Sequence, residues 1–157
     1  MQTERHELGD DGVVPNNPAL ALVVYRGALP IGSRDAEQRI IAHFAANGWS
    51  NAWVNGIYPF HHYHATAHEV LGLACGWAEV QFGGPSGPIV RVEAGDAVMI
   101  PAGVGHCRKA ARSDLSVVGA YPGGSDWDLQ RATPEARIKS LQLIPSVPPP
   151  ARDPVLG

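Results

Sequence analysis

The chain has 157 residues, a length that suits one domain with a substantial hydrophobic core. Its 12 Lys and Arg against 15 Asp and Glu give a net charge of −3 with His neutral, so it offers no basic surface to nucleic acid. No segment approaches the roughly 20 apolar residues that span a bilayer. Because the N-terminus is polar and acidic rather than signal-like, we expect a cytoplasmic protein that contacts neither membrane nor nucleic acid.

The first 50 residues predict a strand and a helix. Residues 1–18 are predicted to form a loose lead-in, and the apolar, partly β-branched run at 19–25 is predicted to form a buried strand. Ser33 is placed to cap a helix over residues 34–47, which carries carboxylates in its first turn and an apolar stripe. Asn47 and Gly48 form a stop signal, and we expect this helix to cover one face or end of a sheet.

From residue 49 onward, short β-type runs follow one another, and Gly, Pro or Ser separates most of them. Such regular spacing predicts an all-β sandwich or barrel. Thr133 and Pro134 open a short helix that ends near Leu143, and the Pro-rich tail over residues 144–157 is predicted to be extended. The predicted strands cover residues 52–60, 68–74, 78–82, 89–92, 97–100 and 115–121.

The two cysteines, Cys75 and Cys107, do not form a CxxC pair. This excludes a zinc ribbon or a thioredoxin-like motif. In a cytosolic protein we expect both thiols to be reduced and to behave as small buried hydrophobic side chains.

The candidate chemistry lies in a cluster of histidines. Side chains alternate along a strand, so His62 and His64 face one way and can bind the same ion. Glu69 follows after a gap of four residues, and a barrel can bring the distant His106 back to this pair. Three imidazoles and one carboxylate suit a single divalent Zn, Fe, Mn, Ni or Cu ion, with room left for water or a substrate.

The spacing around this cluster resembles the first motif of the cupin family, G-x5-H-x-H-x(3,4)-E-x6-G. All five fixed positions match, at Gly56, His62, His64, Glu69 and Gly76.

A second segment resembles the other cupin motif, G-x5-P-x-G-x2-H-x3-N. Gly95, Pro101, Gly103 and His106 match, whereas Ala110 stands where the pattern has Asn. That Asn is not a metal ligand in the family, so the predicted ion is unaffected, but a hydrogen bond in the pocket is in doubt.

The resemblance, carried by residues 56–110, implies a double-stranded β-helix of the jelly-roll type over residues 1–157, with the ion in its mouth. The chain also resembles a group of small bacterial cupins of the YjlB type. This narrower resemblance does not indicate which reaction, if any, is catalysed. We therefore expect a metalloenzyme acting on a small oxygenated metabolite, of dioxygenase or isomerase type. The alternative is a non-catalytic, metal-dependent module that binds a small molecule. By analogy with small cupins we also expect a homodimer.

Strand parity sorts the neighbouring residues. Tyr58 and Phe60 share parity with His62, and Arg108 shares parity with His106, so these three side chains are predicted to line a substrate pocket. Arg108 could hold a carboxylate or enolate oxygen, or lie exposed at the barrel rim. His61 and His68 are predicted to face away from the ion. Three tryptophans are assigned to packing, namely Trp49, Trp53 and Trp77.

Overall fold

The computed structural model describes residues 1–157, in which eleven strands form two antiparallel sheets and two helices flank them. Neither helix is long and apolar enough to cross a membrane. The helices are α1 (Ala36–Ala46) and α2 (Pro134–Leu143), and a short 3-10 turn over Ile144–Ser146 follows α2. The strands are β1 (Gln2–His6), β2 (Leu22–Arg26), β3 (Trp49–Asn55), β4 (His62–Tyr63), β5 (Glu69–Cys75), β6 (Trp77–Phe82), β7 (Ile89–Glu93), β8 (Ala97–Ile100), β9 (His106–Ala111), β10 (Ser116–Pro122) and β11 (Gln130–Arg131).

The strand order is that of a jelly roll. One sheet runs β1-β2-β8-β5-β10-β3 and the other runs β11-β4-β9-β6-β7. Within them, β3 to β10 give the four-stranded orders β3-β10-β5-β8 and β4-β9-β6-β7, which is the eight-stranded arrangement of two Greek keys. The predicted double-stranded β-helix with two helices is therefore confirmed.

The central strands of the six-stranded sheet, β2, β8, β5 and β10, are buried on both faces. Leu71 and Leu73 of β5 point into the core between the sheets, whereas Val70 packs with Ile40 and Phe44 of α1 on the outer face. A strand covered on both sides needs apolar residues at almost every position, which accounts for the continuous run in β5. The prediction that the N-terminal helix covers a sheet is confirmed.

The start of α1 differs from the prediction. The helix begins at Ala36 behind Asp35, and no side chain caps it. The Ser33 hydroxyl instead donates a hydrogen bond to the Asp35 carboxylate at 2.6 Å, so the predicted Ser33 cap is wrong. The helix ends as predicted, because Gly48 adopts a left-handed conformation with φ of 83°.

The N-terminal segment is part of the fold, so the predicted loose lead-in over residues 1–18 is wrong. Strand β1 pairs with β2 along its whole length, and Glu4 accepts a hydrogen bond from Arg26 at 2.9 Å. Asn16 is buried and its amide donates to the carbonyls of Gly9 and Gly83. Periodicity did not reveal β1 because it is an edge strand with mostly exposed polar residues.

The C-terminal tail packs against the six-stranded sheet and α1 instead of running free. Tyr25 donates its hydroxyl hydrogen to Asp153 at 2.6 Å, and the Trp49 indole donates to the carbonyl of Arg152 at 2.9 Å. Val155 is buried in the outer core. The helix before the tail is as predicted, since the Thr133 hydroxyl caps α2 by accepting from the backbone of Ala136.

The two thiols have different environments. Cys107 is buried, as predicted, but Cys75 is exposed, so that prediction is wrong. Cys75 is the last residue of β5, where Gly76 turns the chain with φ of 78° and carries the thiol out of the core. Its sulfur lies 3.3 Å from the Asp114 carboxylate. Both thiols are free, as expected.

Both sheets end in open edge strands, namely β1, β3, β7 and β11. Open edges are the feature that favours pairing with a second chain. The homodimer stays a prediction.

Gly72 of β5 lies in close contact with side chains of α1. A Cβ at this position would lie 2.8 Å from Leu29 and Phe44 and 2.9 Å from Ile40. We expect Gly72→Ala to lower the free energy of unfolding by about 1–3 kcal/mol, because a well-packed core resists an added methyl group. Urea unfolding measures this change. Gly9→Ala is the control, since nothing lies within 4 Å of that position, and equal midpoints for both variants would contradict the prediction.

Candidate metal centre

The two sheets bring the predicted ligands to one cavity of about 480 Å³. His62 of β4 and His106 of β9 face each other as direct partners in the five-stranded sheet. Glu69 opens β5 in the six-stranded sheet, and His64 follows β4. The cavity therefore lies where the sheets meet, and all four side chains line it.

Three of the four ligand atoms form a tight cluster. His64, Glu69 and His106 are buried, and their ligand atoms lie within 4.8 Å of one another. The Nε2 atom of His64 is 3.2 Å from one Glu69 oxygen, and that of His106 is 3.4 Å from the other. His62 is outside this cluster of three, but its ring centroid is 4.0 Å from that of His106.

All three imidazoles are held in the same tautomer by the backbone. His62 and His106 each point Nδ1 at the carbonyl two residues earlier, at 2.8 and 3.2 Å. The Nδ1 of His64 contacts the carbonyl of Asp128. A carbonyl oxygen can only accept, so each Nδ1 carries a hydrogen, and in the neutral ring each Nε2 then has the lone pair. This is the arrangement that orients metal-binding histidines.

The donor set fits a divalent cation. In the neutral tautomer, the Nε2 lone pairs of His64 and His106 face the carboxylate oxygens of Glu69. Both groups are then hydrogen-bond acceptors with no hydrogen between them, and they repel each other. Such a contact is favourable only with a cation or an added proton between the atoms. An ion bound by imidazole nitrogens and a carboxylate removes this repulsion, and Zn, Fe, Mn, Ni and Cu all accept such ligands.

The electrostatics of the cluster show that Glu69 is stabilised by positive charge beside it, from a proton on an imidazole or from a bound ion. Burial lowers the pKa of His62 to about 3, with a further contribution from His106, so its nitrogen stays free of a proton. Burial acts to raise the pKa of Glu69, but the neighbouring His64 and His106 outweigh it and the net shift is downward. Burial acts to lower the pKa of His64, and Glu69 reverses this and raises it.

Glu69 is oriented by a chain of hydrogen bonds from β10 and β3. The Tyr121 hydroxyl donates to Glu69 at 2.7 Å, and the Trp53 indole donates to the Tyr121 oxygen at 2.7 Å. Gly119 makes room for this indole, because a Cβ there would be 2.2 Å from the Trp53 ring. Trp53 therefore belongs to the cavity as well as to packing.

The loop after β10 forms another wall. Asp128 holds it against the first motif, since its carboxylate accepts from the backbone of Ala65 and from both the backbone and the hydroxyl of Thr66. Trp127 stacks on Tyr121 at 5.9 Å and lies edge-on to His64 at 5.2 Å. Because this loop has no periodic pattern, neither Trp127 nor Asp128 could be predicted from the sequence.

The three predicted pocket residues have different positions. Tyr58 and Arg108 line the cavity. Phe60 does not line it but stacks on Tyr58 at 4.9 Å and carries the Arg131 guanidinium over its outer face at 3.7 Å. Ala110, at the place of the motif Asn, is also outside the lining.

The two neighbouring histidines face away from the cavity, as predicted from strand parity. His61 is half-buried, and its Nδ1 atom is buried without a hydrogen-bond partner. His68 is buried, accepts from the backbone of Ala102 and donates to the carbonyl of Pro148, both at 2.9 Å. His68 thus joins the second motif to the C-terminal tail.

Comparisons with known proteins agree with this picture. The chain is 40% identical over 156 residues to the uncharacterized protein YjlB of Bacillus subtilis (strain 168), covering 99% of this chain and 92% of YjlB. No protein-family model matches.

Two solved structures are distant neighbours. RmlC from Streptococcus suis, in complex with dTDP-D-xylose, matches with a TM-score of 0.43 and 12% identity over 82% of this chain and 72% of that one. Acireductone dioxygenase from Bacillus anthracis, with a cadmium ion in its active center, matches with a TM-score of 0.42 and 18% identity over 61% and 68%. These likenesses are too weak to transfer an activity. The strand order and the near-complete match to one relative are stronger, and by them the chain belongs to the YjlB family and has the cupin jelly-roll fold.

Proposed function

We propose that this protein is a metal-dependent enzyme that holds one divalent ion with His62, His64, Glu69 and His106 and acts on a small oxygenated metabolite. The convergence of the imidazole Nε2 atoms on the Glu69 carboxylate carries the proposal. A buried carboxylate that faces two imidazole nitrogens needs a positive charge between the atoms, which a bound divalent ion or a proton supplies. Three backbone carbonyls fix the tautomers that leave these lone pairs free.

The side chains around the ligands would prepare a substrate for reaction. Trp53, Ile57 and Leu71 give the cavity an apolar wall that excludes water, which strengthens polar interactions inside it. A divalent ion would supply Lewis acidity towards a substrate oxygen, and iron would add chemistry with dioxygen. These two options correspond to the isomerase and dioxygenase types of reaction.

A second candidate is a non-catalytic, metal-dependent module that binds a small molecule. Besides the four ligands, the titratable side chains of the cavity are Tyr58, Tyr121 and Arg108. Neither a phenol nor a guanidinium is an effective general base near neutral pH. This observation favours binding without proton transfer. Retention of a bound metabolite without turnover, both in air and without oxygen, would support the module over the enzyme.

The first test is elemental analysis of protein purified without a metal-binding tag. We expect close to one equivalent of a divalent transition metal per chain, and its loss in the His62→Ala, His64→Ala double variant. Iron, manganese, nickel or copper would direct assays to oxygen or isomerase chemistry. Zinc would support the centre but say less about the reaction, since zinc often replaces a native ion during expression.

His61→Ala is the matched control, because it removes an adjacent imidazole that faces away from the cavity. This variant should keep its metal. A full equivalent of metal in the double variant, or none in the wild type even after reconstitution, would contradict the proposed centre.

The hydrogen bond from Tyr121 to Glu69 gives a separate prediction. Tyr121→Phe should weaken metal affinity by roughly 10- to 100-fold, because partners that orient a ligand typically contribute this much. Competition with a chelator of known affinity measures the change. Tyr63→Phe is the control, since that hydroxyl is bonded to Ser140, away from the ligands. Equal affinities in the two variants would show that Tyr121 does not orient the carboxylate.

A further inference from the structure

We propose that the ligand of this cavity is a small carboxylate with an apolar body, whose carboxylate is bound by Arg108 while its body lies against Trp127 and the apolar wall. The inference rests on the proposed metal centre, and it names the class of molecule that the centre would act on.

Arg108 is a cation without a partner. Its side chain is half-buried in the cavity wall, and no hydrogen bond or ion pair engages its guanidinium. Other arginines near the site are engaged, since Arg131 lies over Phe60 and Arg112 is paired with Asp114 at 3.0 Å. A guanidinium presents a planar set of donors that matches a carboxylate.

The position of Arg108 lets one molecule reach both the guanidinium and the ligand cluster. Arg108 follows His106 by two residues in β9, and both pair regularly with β6, opposite Val80 and Phe82. Their side chains therefore leave the same face of the sheet, with backbones separated by about 7 Å. That separation is within the span of a small organic acid.

The charge balance of the cavity calls for an anion. The only carboxylate that lines it is Glu69, which already faces His64 and His106 and accepts from Tyr121. A divalent ion with this one carboxylate would leave a charge of +1, and Arg108 adds another. An excess of positive charge in a half-enclosed cavity attracts and concentrates anionic ligands.

Apart from Asn55, whose amide oxygen accepts from the backbone of Gly56, the rest of the lining is mostly apolar and aromatic. Trp53, Ile57 and Leu71 form its inner wall, and Trp127, which is 40% exposed, forms the outer one. A flat indole face left partly open to solvent offers contact area to an apolar body. A bare inorganic anion would leave these surfaces uncovered, so we assign the site to an organic acid.

Isothermal titration of zinc-loaded protein with benzoate, benzamide and acetate tests both halves of the proposal. Benzoate should bind roughly 10- to 100-fold more tightly than benzamide, because a hydrogen bond to a charged group contributes that much. Benzoate should also bind more tightly than acetate. Arg108→Gln should reduce the preference for benzoate over benzamide by roughly 10-fold or more, and Trp127→Ala should weaken benzoate binding more than acetate binding.

Lys109→Gln is the matched control, because it removes an equal charge from the next residue, which is exposed and outside the cavity lining. It should leave benzoate binding unchanged. Equal binding of benzoate and benzamide, or a preference for benzoate that is unchanged in Arg108→Gln, would overturn the assignment.

Zinc content measured on the same samples separates the two proposals. Full zinc occupancy without any carboxylate preference would overturn this inference and leave the metal centre standing. Arg108-dependent benzoate binding to protein that takes up no zinc would support the carboxylate site and contradict the metal function.

Discussion

The site depends on one electrostatic constraint, the burial of the Glu69 carboxylate opposite two imidazole nitrogens that carry lone pairs. The two contacts, at 3.2 and 3.4 Å, join residues from different sheets, because His106 belongs to the five-stranded sheet and Glu69 to the six-stranded one. Without a positive charge between them these groups repel, and burial removes the water that would otherwise screen them. A cation would therefore hold the two sheets together at this end as well as serve any chemistry.

Backbone carbonyls, more than side chains, orient the three histidine rings of this cluster. Three carbonyls, from three separate segments, select the tautomers of the histidines. Each of the three carbonyls lies two residues before a strand, so the orientation of the rings depends on where β4, β9 and β11 are placed. A slip of one residue in β4 would turn His62 and His64 out of the cavity and His61 into it. The site is thus as precise as the pairing of β4 with β9.

The sequence was sufficient to predict which four side chains meet in the cavity, the jelly roll and most strand positions, because motif spacing and strand parity are local properties. It failed where long-range contacts decide the outcome. Strand β1 has no apolar alternation and is held by pairing and by the Glu4–Arg26 contact. The tail looked extended because prolines dominate it, yet Trp49 and Tyr25 anchor it. The roles of Trp127 and Asp128 depend on how one irregular loop lies over the motif.

The candidate ligands and several residues that shape the cavity come from different parts of the chain. The ligands lie within residues 56–110, but Tyr121, Trp127 and Asp128 lie beyond them, and these three orient Glu69, form the outer wall and fix His64. The motif therefore supplies the candidate ion ligands, whereas the loop after β10 and the guanidinium of Arg108 shape the space in which a ligand would bind. A cupin with the same four ligands but another loop, or without an arginine at this place, would be expected to bind a different molecule. In this chain the ion would supply reactivity, and selectivity would come from one unpaired cation and one exposed indole.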